Sequence, residues 1–87
     1  MALNNVKKID SVFIIPNTYK LVFKLKDSTN IYYLDCTDIF NSDYEKEIFK
    51  DVRKFSEINI LGTKISWNND SYDMCIDYML ENSEIIL

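Results

Sequence analysis

The stretch "TYKLVFKLKD", Thr18 to Asp27, constrains the fold more than any other. In an extended chain, Tyr19, Leu21, Phe23 and Leu25 fall on one face, and Lys20, Val22, Lys24 and Lys26 on the other. A period of two with one polar face belongs to a half-buried strand. A helix would scatter the same residues around its circumference. The preceding "IDSVFIIP" also reads as a strand, with Ile9, Ser11, Phe13 and Ile15 alternating against Val12 and Ile14. Pro16 and Asn17 end it and open a turn.

"KDSTN" then separates this strand from "IYYLDC". The spacing suits a hairpin, but the usual glycine is missing. A longer loop is expected, with Asp27 or Asn30 taking any left-handed position. Past Cys36 the period changes. Thr37 or Asp38 can cap a short turn. Ile48, Phe49, Val52 and Phe55 follow a helical stripe, with Glu45, Glu47, Lys50 and Asp51 facing water. "EINI" and "KISW" are short alternating runs around Gly62 and read as a second hairpin. The last segment places Cys75, Ile76, Met79 and Leu80 on one helical face. The apolar "EIIL" either packs back on the domain or marks a contact with another chain. The expected fold is α+β: a twisted antiparallel sheet of about five short strands, order β-β-β-α-β-β-α, with helices packed on one face. A chain of 87 residues suits a single domain over residues 1–87.

Composition narrows the function. There is no histidine, which removes the commonest general base and most zinc and iron sites. Gly62 is the only glycine, so phosphate-cradling loops are absent. The expectation is a non-enzyme without cofactor or metal. No apolar run reaches the roughly 20 residues that a membrane-spanning helix needs. The start "MALNNVKKID" has no apolar leader core, and two cysteines make no disulfide framework. A cytoplasmic protein is expected, with Cys36 and Cys75 as small core residues. Asp35 beside Cys36 would raise the thiol pKa and blunt its reactivity. Lys20, Lys24 and Lys26, with Lys7 and Lys8 near, read as a solvated or edge-protecting strip. With a net charge of −4, no direct nucleic-acid binding is expected. Tyr32, Tyr33 and Tyr44 read as core or rim residues rather than base-stacking platforms.

The stretch "ISWNNDSYDMCIDYMLENSE", Ile65 to Glu84, is rich in side-chain oxygens. A calcium loop wants an internal glycine and a terminal bidentate glutamate, and "NNDSYDMCIDYM" has neither. The expected structure is a turn leading into a helix, capped by Asp70 or Ser71, or by Asp73 if the helix starts later. Trp67 would anchor the hairpin beneath it. Asp70, Asp73, Asp77, Glu81 and Glu84 are spaced three, four, four and three apart. On a helix they would form one acidic stripe. Residues 65–87 hold these five acids and no base, a charge of −5 that leaves +1 for residues 1–64. Like charges at i,i+4 cost roughly 0.2–0.5 kcal/mol per pair. Such a stripe is either a solvated face or a docking strip for a basic partner.

The order "YKLVFKLKD … YYLD … F … INILGTKISWNND … D" resembles the small bacterial domain-of-unknown-function 2442 family. The matching positions are Tyr19, Leu21, Phe23, Asp27, Asp35, Phe55, Gly62, Trp67, Asn69 and Asp73, within residues 5–80. Ser28 stands where glycine is usual, Asp70 replaces the glycine of the turn after Trp67, and Asp73 arrives about a residue late. The resemblance implies an α+β protein-binding domain, similar in some members to antitoxin-like partners, and no catalytic residue. The expected function is an antitoxin-like regulator of a basic partner protein, with Asp70, Asp73, Asp77, Glu81 and Glu84 making the contact. The alternative is a phage- or mobile-element-encoded acidic inhibitor that mimics nucleic acid. A carboxylate-only enzyme built on Asp35, Asp70 and Asp73 is the third reading. The tail or an edge strand could also join two copies of the chain.

Overall fold

The computed structural model describes residues 7–87. The first residues of "MALNNVKKID" and the start of the resemblance at residue 5 lie outside them. The chain runs β1 (Ile9–Ile14), β2 (Lys20–Leu25), β3 (Tyr32–Asp35), α1 (Asp43–Ile48), a 3-10 helix (Val52–Ser56), β4 (Asn59–Ile60), β5 (Lys64–Trp67), β6 (Tyr72–Cys75), α2 (Ile76–Glu81) and β7 (Ser83–Ile85). The fold is α+β and antiparallel, as expected. Its strands form two sheets rather than one, in orders β1-β2-β3-β7 and β4-β5-β6. The two strands beyond the expected five are β6, where a helix start was expected, and β7, drawn from the "EIIL" tail.

β2 carries its alternation into the structure. Leu21, Phe23 and Leu25 are buried, while Lys24 is exposed and Val22 half-buried. β1 departs from its reading. A bulge between Ile9 and Ser11 shifts the register, so that Val12 pairs with Phe23 and Ile14 with Leu21. Directly opposed residues share a face, so the bulge turns Val12 and Ile14 toward the core and Phe13 outward. Asn17 (φ 61°) and Asp27 (φ 63°) supply the left-handed positions of the first two turns. Asn and Asp tolerate this region better than other non-glycine residues.

The stripe of Ile48, Phe49, Val52 and Phe55 is real, but it does not lie on one helix. Ser42 and Glu45 form a reciprocal capping box at the start of α1. Phe49 leaves helical geometry, and Asp51 then caps the 3-10 helix by accepting from the Arg53 amide. This break lets both Phe49 and Phe55 turn inward. Asp35, not Thr37 or Asp38, caps the preceding turn by accepting from the Thr37 amide at 2.9 Å.

Both sheets bury their inner faces in a common core, formed by Leu21, Phe23 and Leu34 with Ile65, Trp67 and Met74. Phe40 and Phe49 stack at 4.1 Å, and Phe55 and Trp67 at 5.5 Å. Offset and edge-on aromatic pairs add about 0.5–1.5 kcal/mol each beyond their buried area. The indole N–H of Trp67 donates to the Phe55 carbonyl at 2.8 Å, which satisfies its one buried polar group. Only α2 of the two α-helices buries side chains, Ile76 and Met79; α1 buries none. Cys36 is in the core as expected, but Cys75 is exposed.

Candidate functional site

The chain reverses after Trp67 through Asn68, Asn69 and Asp70, with φ of 53°, 55° and 65°. Three successive left-handed residues without glycine are costly, and local hydrogen bonds hold them. The Ser71 amide donates to the Asn68 carbonyl at 3.1 Å, and Asn68 Nδ2 donates to Ser71 Oγ at 2.8 Å. Asp70 accepts from the hydroxyl of Ser66, the one fully buried polar side chain among the described residues, and from Asn59 Nδ2 at 3.5 Å. Asp70 is thus a structural acceptor that pins the turn to β4 and β5.

The same turn dissolves the expected acidic stripe. Its return sends Tyr72–Cys75 along β5 as a strand, with Ser66 opposite Asp73 and Ile65 opposite Met74. Asp73 points outward and pairs with Lys64 at 3.1 Å. Helix begins only at Ile76, after a Cys75 N-cap that makes no side-chain hydrogen bond. None of Asp70, Ser71 and Asp73 caps it. Asp77 and Glu81 sit on α2, and Glu84 sits on β7. The five acids therefore occupy four elements of structure. All are exposed, and Asp77, Glu81 and Glu84 have no ion-pair partner among the described residues.

The "EIIL" tail packs back on the domain. β7 pairs with β3 through Leu34–Ser83, Tyr33–Glu84 and Tyr32–Ile85. The pairing continues as the Ile86 amide donates to Ile31 and the Ile31 amide donates to Leu87, both at 2.9 Å. Yet Ile85, Ile86 and Leu87 remain 60%, 50% and 77% exposed. Unpaired acids and open aliphatic side chains are therefore both carried by α2, β7 and the residues that follow.

The residues of the resemblance are structural here. Tyr19 donates its hydroxyl to the Phe49 carbonyl, Leu21, Phe23, Phe55 and Trp67 are core, and Gly62 (φ 84°) turns the β4–β5 hairpin. Asp27 and Asn69 hold left-handed turn positions. Asp35 is held below the ordinary carboxylate range by hydrogen bonds from Thr37. It lies in the first sheet, while Asp70 and Asp73 lie at the second. Among the described residues, no three cysteine, aspartate or glutamate side chains gather as a metal-holding group. Burial, aided by Asp35, pushes the Cys36 thiol up to about 12, which keeps it an inert core residue.

Two features had no sequence signal. Glu45 on α1 accepts from the hydroxyl of Tyr72 on β6, 27 residues away. Burial resists the ionisation of Glu45, but donors from Tyr72, Ser42 and Asn41 outweigh it and hold the carboxyl below its ordinary value. The other is a groove of about 640 Å³ beside the turn, lined by Tyr44, Lys54, Asn59, Trp67 and Asn69 among others. Each of its charges already has an ion-pair partner, Lys54 lying 3.6 Å from Glu57 and Glu47 3.1 Å from Lys50 outside the lining, so it lacks a free charged group to orient a ligand. No helix of the described residues is long and apolar enough to cross a membrane. Comparison of the chain with protein-family models, curated proteins and solved structures gives no match.

Proposed function

We propose that this chain is a non-catalytic protein-binding module, antitoxin-like in acting on a basic partner protein. One observation carries the reading: Asp77, Glu81 and Glu84 stand exposed, with no ion-pair partner among the described residues, where no lysine or arginine follows Lys64. A structure selected only for stability gains nothing from Asp77 and Glu81 at i,i+4, or from Glu81 at a helix C-terminus. A patch of one sign attracts a partner of the other and quickens the encounter. The family resemblance through Tyr19, Phe23, Gly62 and Trp67 agrees with this reading. Asp70 and Asp73, occupied within the fold, contribute long-range charge rather than contact.

The test is affinity capture from cell extract with the wild-type chain and with Asp77→Lys, Glu81→Lys and Glu84→Lys combined. The wild type should retain a basic protein that the variant recovers about tenfold less, as expected when close charge pairs are reversed. Capture should also weaken as salt is raised. Equal recovery by the two chains would overturn the reading.

A further inference from the structure

Four strands border the two sheets, and three of their free edges are blunted. β1 carries the bulge at Asp10, and its Ile9 amide is already spent on the Gly62 carbonyl at 2.7 Å. β4 is two residues long. β6 leads out of the Asn68–Ser71 turn, where Tyr44 donates its hydroxyl to the Ser71 carbonyl at 3.3 Å, and it carries the Asp73–Lys64 pair. Within Ser83–Ile85, β7 has no bulge, no proline and no lysine, the devices that usually protect an edge. Among the described residues, no strand lies on its outer side.

We infer that β7 is a strand-addition site and that its occupant is an extended segment of the partner in which basic and apolar residues alternate. This rests on the reading of a basic protein partner and names how that partner docks. The Ile86 amide faces β3, so strand alternation turns the amide of Ile85, opposite Tyr32, toward the open side; the Leu87 carbonyl accepts from Ile31, and the regular alternation ends there. The register sets the side-chain pattern. Val12, Phe23, Tyr32 and Ile85 form one cross-sheet row on the core side, and Phe13, Val22, Tyr33 and Glu84 form its neighbour on the outer side. A further strand would place an apolar residue opposite Ile85 and a base opposite Glu84, a favourable cross-strand pair. Asp77 and Glu81 add attraction from α2. A second copy of this chain would bring its own Glu84, Asp77 and Glu81 to the same edge, like charge against like.

The probe is a short peptide of alternating lysine and valine, titrated into the full chain. Backbone amide hydrogen exchange is read residue by residue. The peptide should slow exchange at Ile85, while a peptide of the same composition with its lysines and valines in separate blocks should not. Ile85→Pro removes the outward donor at a position where an edge strand tolerates proline. It should weaken binding by about tenfold, the worth of one or two net hydrogen bonds. If that variant fails to fold, protection of the wild-type amide decides. Binding that leaves Ile85 unprotected would overturn strand addition while leaving the acidic surface standing. Unchanged peptide affinity in the Asp77, Glu81 and Glu84 lysine variant would instead remove the charge reading. A dimer by sedimentation, with Ile85 protected before peptide is added, would replace the partner segment with a second copy.

Discussion

Asn69 and Asp70 share a left-handed backbone, yet glycine at the two positions should have opposite effects. Asn69 makes no side-chain hydrogen bond among the described residues, so Asn69→Gly only relieves an unfavourable φ. It should leave stability unchanged or raise it by up to about 1 kcal/mol. Asp70→Gly relieves the same strain but leaves the buried Ser66 hydroxyl without its acceptor. That should cost about 1–3 kcal/mol. Urea denaturation of the two variants checks the sign of each; destabilisation by Asn69→Gly comparable with that of Asp70→Gly would mean that the backbone, not the Ser66 contact, governs the turn. At position 70 the chain forgoes the conformational ease of glycine for a side-chain acceptor.

Among the elements, α1 is held to β6 by a single ionisable contact. The folded pKa of Glu45 lies below its ordinary 4.5, so its contribution is fully present above that value. It is lost as pH falls through the lower, folded pKa. Tyr72→Phe should therefore cost about 1 kcal/mol near neutral pH, and the gap from wild type should narrow in acid. Denaturation at about pH 7 and about pH 3 tests this; a pH-independent gap would mean that Glu45 ionisation plays no part. How far such elements can be read from sequence depended on competing periods. β2 was legible because its apolar face and its strand pairing agree. β1 was not, since one bulged residue reversed its faces and no residue type announces a bulge. In the 70–84 segment the acids follow a helical spacing while Tyr72, Met74 and Ile76 follow a strand spacing. Pairing with Ile65 and Trp67 decided for strand up to Cys75, and helix took over only where β5 ended. The Glu45–Tyr72 contact left no local trace at all.

For the whole molecule, the charge division visible in sequence survives folding, though not as a stripe. The five acids spread over several elements, and three of them lie on α2 and β7, the elements that lead into the aliphatic tail. The last strand of the chain completes the first sheet, while the second sheet forms between β3 and β7. Pairing Leu34 with Ser83 closes a loop of most of the chain, whereas β1–β2 and β5–β6 need only short hairpins. Long closures carry more entropy and come late in folding. Native-state hydrogen exchange should find the Ile86 amide opening well before those of β2, by partial rather than global unfolding. Equal protection of both would indicate one cooperative unit. If β7 does release first, the molecule loses its fourth strand while the β1–β2–β3 meander persists, and a three-stranded sheet with a bare β3 edge becomes the first species on the unfolding route.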